Sequence, residues 1–185
     1  MKSTSSRTTA RRPKSAKNLD GYGAPEIPWS KVRAVLDAGL TQAPKSGGPD
    51  RHTCWLSTVN SDGSSHTVPL GTLSIGGVFY FTSGDGTLKS KNLARDPRCS
   101  IAVATRPFDL VLEGKAKKVT DKTTLEQVAK AFRTVGWKAT VKGGALTAEY
   151  SAPSAGPPPW CVYEMVPKTV FAFGTAEEGA TRWDF

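Results

Sequence analysis

The sequence predicts a β-rich α+β fold, in which six to seven antiparallel strands form a barrel with short helices at its flanks. Two observations lead to this prediction. Short apolar segments with strand-like alternation recur from residue 52 onward, separated by turns that contain glycine. Short helical segments with apolar residues three and four apart interrupt this series. Evenly spaced short antiparallel strands favour a barrel over a parallel sheet.

The helix and strand patterns follow one another clearly through the first half of the chain. KVRAVLDAGL predicts an amphipathic helix that ends at Gly39, with Ser30 as its candidate N-cap. RHTCWLSTVN and SHTVPLGTLSI predict two strands joined at the turn SDGS. A tight hairpin at Gly76-Gly77 then leads into the strand VFYFT.

The second half begins with a short helix near Thr87 that ends before Pro97. RCSIAVAT and FDLVLEGKAKKVT predict two more strands, and DKTTLEQVAKAFRTVG predicts a helix capped by Asp121. KGGALTAEYSAPSAGPPP is rich in glycine and proline, which predicts a loop. WCVYEMVPKTVFAFGT predicts a last hairpin that turns at Pro167-Lys168, before the terminal ATRWDF.

Length and charge predict one folded domain and a basic tail. The chain has 185 residues, 38% of them hydrophobic, which is enough for one domain with a real core. Its net charge is +9, and residues 1–20 carry six basic residues against Asp20. We therefore expect residues 1–25 to be a disordered basic tail and residues 26–185 to be the folded domain. A nucleic-acid-binding tail is the alternative. Nucleic acid is not an expected partner, because the folded part has no recognition-helix pattern or aromatic RNA-binding signature.

The sequence shows no pattern typical of a membrane span, a secretory signal peptide or a metal site. No run approaches the roughly 18 apolar residues of a membrane span, and no apolar stretch follows the basic N-terminus, so we expect a cytoplasmic protein. The cysteines Cys54, Cys99 and Cys161 are far apart, without a CxxC pair. Neither a disulfide framework nor a metal site is expected. Cys99 and Cys161 lie in apolar segments and are predicted to be small core residues.

The segment TSGDGTLKSKNLARDP, residues 82–97, has the properties of an anion-binding loop. Gly84 and Gly86 allow a ligand to approach the backbone closely. The helix that follows directs free N–H groups and the positive end of its dipole outward, while Thr87 offers a hydroxyl and Lys89 an ammonium group. An ordinary strand-to-helix connection with solvated lysines is the alternative interpretation.

Side chains for acid–base or nucleophilic chemistry are scarce. The sequence has no GxSxG elbow, no HExxH and no kinase motifs. His66 is a weak catalytic candidate, since it is the one histidine in a promising strand; an ordinary exposed strand position is the alternative. Such a site suggests that a bound cofactor supplies the difficult chemistry.

Two distant segments together resemble the FMN-binding split β-barrel family. NSDGSSHTVPLGTLSIGGVFYFTSGDGTLKSKNLARDPRCSIAV resembles the core of pyridoxamine phosphate oxidase and of the deazaflavin-dependent oxidoreductases of actinobacteria. The terminal ATRWDF resembles the arginine-bearing end of this family, especially of its deazaflavin branch. The resemblance covers roughly residues 52–185 and matches poorly over residues 138–159.

This resemblance implies a split β-barrel that forms a homodimer, with the cofactor at the interface. The strand residues implied to line the flavin-type ring and its ribityl chain are Thr67, Val68, Pro69 and Leu70. The residues implied to hold the phosphate are Thr82, Thr87 and Lys89. Arg182 is implied to reach the ring region from the C-terminus of the partner subunit.

Two departures from the family's FMN oxidases favour coenzyme F-420. Those oxidases often carry arginine at the positions of Thr67 and Leu88, and charge-assisted contacts are about twice as strong as neutral ones. FMN should therefore bind less firmly here, whereas the basic surface suits the acidic tail of F-420. The substrate-phosphate pattern of vitamin B6 oxidases is also not found in GTAEEGATRWDF. We expect an F-420-dependent reductase of a small organic acceptor. The alternatives are an FMN-binding oxidase or reductase and a non-catalytic cofactor-binding protein.

Overall fold

The computed structural model describes residues 11–40, 52–175 and 178–185. Within these ranges the chain forms three helices and eleven strands. The helices are α1 (Trp29–Ala38), α2 (Leu88–Arg95) and α3 (Lys122–Thr134). The strands are β1 (Ser15–Asn18), β2 (Cys54–Val59), β3 (Ser65–Leu70), β4 (Leu73–Ile75), β5 (Val78–Ser83), β6 (Arg98–Ala104), β7 (Phe108–Lys118), β8 (Thr140–Lys142), β9 (Ala145–Thr147), β10 (Cys161–Gly174) and β11 (Ala180–Asp184).

One large antiparallel sheet of nine strands organises the domain, in the order β1-β11-β10-β7-β6-β2-β3 with β4 and β5 attached to β10. The 14-residue β10 is the branch point. Its residues 163–174 pair with β7 along one edge. On the other edge its first part pairs with β5 and its second part with β11. The short β8–β9 hairpin forms a separate sheet.

The predicted β-rich α+β class with antiparallel strands is confirmed, but the details of the barrel differ. The sheet has nine strands rather than six or seven, and hydrogen bonds do not close it among the described residues. The predicted hairpin at Pro167-Lys168 is wrong, because β10 continues through this point with an irregularity between Pro167 and Thr169. A bulge lets a strand bend and tolerate a proline without reversing.

The predicted disordered tail is incorrect for the part of it that forms β1. Residues Ser15 to Asn18 pair with Asp184 to Thr181 of β11, although all four side chains are exposed. This strand is held by backbone pairing along the edge of β11 rather than by burial of apolar side chains, so no hydrophobic pattern marks it in the sequence. Residues 1–10 lie outside the described part of the chain.

Two hydrophobic clusters stabilise the domain. The first lies between the sheet and α1, which contributes Val32 and Leu36. The second joins α3 to the other side of β5 and β10, where Tyr80 and Val162 are buried. All three cysteines are buried and free of disulfides. The prediction that Cys99 and Cys161 are small core residues is confirmed. Burial raises the pKa of Cys54 to about 11 and that of Cys99 to about 12.

Of the predicted helix caps and turns, some are confirmed by the structure and others are wrong. Asp121 caps α3, since its carboxylate accepts from the Thr124 N–H at 2.8 Å. The predicted Ser30 cap is wrong, because α1 begins at Trp29 with Pro28 in the N-cap position, two residues earlier than predicted. The Gly76-Gly77 hairpin forms with positive φ at both residues. No described helix offers an apolar stretch of the length that a bilayer crossing requires.

Candidate functional site

A cluster of three hydroxyl groups fixes the start of α2 on the end of β5. The Thr87 hydroxyl oxygen lies 2.8 Å from Ser83 Oγ and 2.9 Å from the Gly84 carbonyl oxygen, and it accepts from the Ser90 N–H at 3.4 Å. Ser90 Oγ donates to Ser83 Oγ at 2.8 Å, and both serines are almost fully buried. The Thr87 hydroxyl therefore serves first as the helix cap. Its role as a phosphate ligand stays a prediction.

The free donors at the start of α2 are two backbone N–H groups and one ammonium group. The first N–H groups of a helix have no acceptor within the helix, and those of Leu88 and Lys89 find none elsewhere among the described residues. The Lys89 side chain is half-buried and pairs with no carboxylate in the described part of the chain. Burial lowers the pKa of Lys89. This arrangement favours an anion at the helix N-terminus.

The one carboxylate between β5 and α2, that of Asp85, is already paired. Asp85 accepts from the Lys118 ammonium at 3.0 Å and from the Cys161 thiol at 3.0 Å. The thiol hydrogen bond, followed by the Lys118 contact, lowers the pKa of Asp85. Asp85 therefore pairs with Lys118 and not with Lys89. Lys89 has no counterion among the described residues.

Gly84 and Gly86 differ in their surroundings. A Cβ on Gly84 would lie 2.7 Å from the Ala155 carbonyl oxygen, whereas a Cβ on Gly86 would meet no atom within 4 Å. Gly84 is therefore required because residues of the loop before β10 pack against it. The sequence predicted that a ligand approaches the backbone at Gly84. In the structure the backbone of Ala155 takes that place.

Asn92 connects α2 to the neighbouring strand β2. Its Nδ2 donates to Thr58 Oγ1 at 3.1 Å and to Asn60 Oδ1 at 2.9 Å, and its side chain is 1% exposed. Thr58 is in turn the cross-strand partner of His66 on β3. Lys89 lies nearly one helical turn before Asn92, about 5 Å along the axis. The structure thus brings the start of α2 and the strand β3 to one region.

Sequence reasoning missed Asn92, Ser83 and Ser90. Asn92 had a detectable signal, since it stands beside Leu93 on the side of a short amphipathic helix that must face the protein. A polar residue in such a position needs a buried partner. The two serines had no comparable signal, because serine is common in exposed loops as well.

Strand β3 carries the predicted ring-lining residues along an open edge. It pairs only with β2 among the described strands, so the backbone groups on its other edge are available to a ligand. Side chains alternate along it: Thr67 and Pro69 are exposed, while Val68 and Leu70 are half-buried. Thr67 Oγ1 lies 2.7 Å from Ser57 Oγ on the neighbouring strand. His66 shares the half-buried side.

Two other predicted site residues, Thr82 and Arg182, lie on strands that do not neighbour β3 within one chain. Thr82 pairs with Val162 and points away from the face of Ser83, because successive side chains of a strand alternate. Arg182 on β11 contacts Asp184, with Nη2 2.8 Å from Oδ1. Five strand-to-strand steps separate Arg182 from Pro69 in the sheet, which is about 24 Å along its surface.

The outer face of the sheet carries an apolar row. Directly paired residues point to the same face of a sheet, and one such row consists of Pro69, Trp55, Ala102, Val111 and Phe171. Trp55 is 46% exposed, although it is the largest side chain of the row. A shallow depression of about 420 Å³ lies beside it, bounded by Ala102 and Val111. Arg182 follows Phe171 in the row, with its guanidinium carbon 5.9 Å from the ring centre.

Comparison with protein families identifies the fold. A family model described as pyridoxamine 5'-phosphate oxidase matches residues 40–174, which is well over half of the chain. The chain belongs to the pyridoxamine 5'-phosphate oxidase family. The matched range contains β3, the start of α2 and the whole apolar row except its Arg182 end. A comparison with curated protein sequences finds no significant match.

Solved structures support this family fold. A pyridoxamine 5'-phosphate oxidase-related, FMN-binding protein from Nostoc punctiforme is 18% identical with a TM-score of 0.54, covering 85% of this chain and 89% of that one. A NimC/NimA family protein from Clostridium acetobutylicum is 15% identical with a TM-score of 0.53, covering 71% and 82%. An F420 reductase is 16% identical, covering 64% and 87%, but its TM-score of 0.45 is too low to support a choice of cofactor.

Proposed function

We propose that this chain is a homodimeric oxidoreductase that binds a flavin-type cofactor, and that it acts as an F-420-dependent reductase of a small organic acceptor. One observation carries the proposal: the half-buried Lys89 ammonium and two free backbone N–H groups occupy the start of α2 without a counterion among the described residues. A cofactor phosphate fits these donors, because a helix N-terminus and a charged donor both favour an anion.

The strand β3 would hold the rest of the cofactor. Its open edge offers backbone groups of Thr67, Val68 and Leu70 to the polar rim of a ring, while Pro69 has no N–H to donate. The neighbouring Trp55, with Ala102 and Val111, offers apolar surface that would exclude water from the ring. When bound, the cofactor supplies the hydride chemistry. The chain contributes position and a dry environment.

His66 is the side chain of this region best suited to hold a proton. It is half-buried on β3, beside the Thr58 that Asn92 contacts. We keep it as the candidate that protonates the product, with solvent as the alternative source. If His66→Ala retains full turnover at saturating cofactor, this role is excluded.

A second copy of the chain would complete the site. Arg182 is five strand-to-strand steps, about 24 Å along the sheet, from β3 of its own chain. A ring at β3 would instead meet Arg182 of the partner subunit. The apolar row on the outer face is a suitable surface for such a pairing, because a two-fold interface joins the same patch on both subunits. The Arg182 end would then lie near the partner's Trp55 end.

Two features favour F-420 over FMN. The positions where FMN oxidases often carry arginine are occupied by Thr67, whose hydroxyl contacts Ser57, and by Leu88, which is 50% exposed. Compared with arginine, neither residue offers a charged donor, so an FMN phosphate would be held less firmly. In addition, the net charge of +9 suits the acidic tail of F-420. Membership of the pyridoxamine 5'-phosphate oxidase family supports the second candidate, an FMN-dependent oxidase or reductase.

A fluorescence titration of the purified protein with FMN and with F-420, side by side, tests the proposal. Tight binding of F-420 and weak binding of FMN is the expected result, followed by turnover with a reducible organic acceptor. The reverse preference would move the protein to the FMN-dependent class. Tight binding without turnover by any acceptor would leave a non-catalytic cofactor-binding protein, the third candidate. Binding of neither compound would refute the proposal.

A further inference from the structure

A second group of cationic and polar side chains lies beside the β4–β5 hairpin. Four of its side-chain atoms are fully buried and have no hydrogen-bond partner: Arg11 Nη1, Arg33 Nε, Trp29 Nε1 and Ser74 Oγ. Buried polar atoms almost always have a partner in folded proteins. Four such atoms in one neighbourhood are an unusual concentration of unsatisfied polar groups.

The hairpin brings the two arginines together. The Arg11 backbone N–H donates to the Gly76 carbonyl at 3.4 Å. A Cβ on Gly77 would lie 3.6 Å from Arg11 Cβ and 3.8 Å from Arg33 Nη1. Gly77 has φ of 84°, a conformation that glycine adopts readily. Both arginines therefore pack against the same turn.

Trp29 and Ser74 belong to the same neighbourhood. Trp29 and Arg33 are four residues apart on α1, so they share one face of that helix. The helix contacts β4, which carries Ser74. The Trp29 ring also packs on the Phe185 ring, with 5.1 Å between centres.

The charges of this group are not balanced. The Arg11 guanidinium lies over the Phe185 ring, 5.5 Å from its centre, and forms no ion pair within the described part of the chain. Arg33 contacts Asp37 through Nη2 alone, at 3.0 and 3.1 Å, and its Nε remains unpartnered. Arg11 is half-buried and unpaired, so a bound anion would offset the cost of partly desolvating its charge.

We propose that Arg11, Arg33, Trp29 and Ser74 bind a phosphate-type oxyanion. Two guanidinium groups, an indole N–H and a hydroxyl from three chain segments supply donors from several directions, which suits a tetrahedral anion with at least three oxygens. The site differs from the one at α2. Gly77 and Gly84 flank the two ends of β5, which places them about 20 Å apart. The proposal does not depend on the proposed oxidoreductase activity.

Phosphate titration followed by the Trp29 indole N–H signal in ¹H–¹⁵N NMR tests this site on the full chain. Trp29→Phe assigns the signal. We expect a saturable shift with inorganic phosphate and with phosphoserine in the wild type and in Lys89→Ala, which lacks the ammonium group at the start of α2. Acetate at equal ionic strength should give no saturable shift. A response to phosphoserine alone would assign the site to a phosphorylated ligand rather than to free phosphate.

The arginine variants decide the outcome. The double variant Arg11→Gln/Arg33→Gln should weaken phosphate binding at least tenfold, whereas Lys14→Gln/Lys17→Gln, which removes the same charge from exposed positions, should change it less than twofold. If the double variant does not fold, Arg11→Gln alone should weaken binding about tenfold. The proposal fails if the wild type shows no saturable shift, if acetate shifts the signal equally, or if the arginine and lysine variants behave alike.

Discussion

Asn92 Nδ2 donates a 3.1 Å hydrogen bond to Thr58 Oγ1, and this buried contact joins α2 to the sheet. The same amide group also reaches Asn60 Oδ1 at 2.9 Å. One strand away from Thr58 lies His66 on β3. The contact therefore fixes the distance between the two parts of the proposed cofactor site, the helix start with Lys89 and the edge strand.

Removing this contact should affect both stability and binding. Asn92→Ala deletes the hydrogen bonds to Thr58 and Asn60 and the one that Asn92 Oδ1 accepts from Arg95. It leaves the buried Thr58 Oγ1 without a donor, so we expect the free energy of unfolding to fall by about 1–3 kcal/mol. Cofactor affinity should fall as well, because α2 loses its fixed position. Urea unfolding monitored by circular dichroism measures the first effect. Lys91→Ala, one residue earlier and exposed, should stay within about 0.5 kcal/mol. Equal stability of the two variants would contradict the account.

Gly84 and Gly86 form a matched pair for testing the packing of the loop. Gly84→Ala places a methyl group 2.7 Å from the Ala155 carbonyl oxygen and should destabilise the protein by about 1–3 kcal/mol. Gly86→Ala meets open space and should change stability by less than about 1 kcal/mol. Thermal unfolding of both variants checks this. Similar melting temperatures would mean that Ala155 does not pack on Gly84.

The Asp85–Lys118 pair should contribute to acid sensitivity. Hydrogen bonds from Cys161 and Lys118 lower the pKa of Asp85 from its ordinary 3.8. The folded state thus favours the charged form, and this stabilisation is present above about pH 3.8 and is lost as the pH falls through the lower folded value. We expect Asp85→Asn to flatten the fall in stability below pH 4. Urea midpoints between pH 2.5 and 6 measure this, and parallel curves for wild type and variant would refute it.

The proposed dimer makes a prediction at the centre of the apolar row. Val111→Lys introduces a charge on the outer face, and a buried unpaired charge is costly, so we expect the variant to be monomeric. Light scattering after size-exclusion chromatography measures the mass. Gln127→Lys, with the same charge change on the exposed side of α3, should leave a dimer. A dimeric Val111→Lys protein, or a monomeric wild type, would exclude this face as the interface.

The sequence predicted those parts of the fold that local patterns determine. Asp121 and the Gly76-Gly77 turn act through neighbouring residues, and both were predicted correctly. The continuity of β10 was not predicted, because Pro167 has the local properties of a turn. Pairing with β7 and β11 keeps this strand extended. Strand β1 was missed for the same reason, since its exposed side chains give no signal and its partner lies more than 160 residues away.

The candidate site shows a similar division. Lys89 and the start of α2 were predictable, because a cap, two glycines and a lysine follow one another in the chain. The hydroxyl contacts of Ser83 with Thr87 and Ser90 are local, but serine carries no signal for them. The pairing of Asp85 with Lys118 depends on a residue 33 positions away on β7. The distance of Arg182 from β3 depends on strand order, which no local pattern determines.

Binding of the cofactor by Lys89→Ala, compared with Lys91→Ala, tests the central claim most directly. Both variants remove one positive charge from α2, but Lys89 is half-buried at the helix start and Lys91 is exposed. If a cofactor phosphate lies at this end, Lys89→Ala should raise the dissociation constant for F-420 or FMN about tenfold or more, since a charged hydrogen bond contributes roughly 1.5–3 kcal/mol. Lys91→Ala should change it less than about threefold. An unchanged dissociation constant in Lys89→Ala would contradict the account.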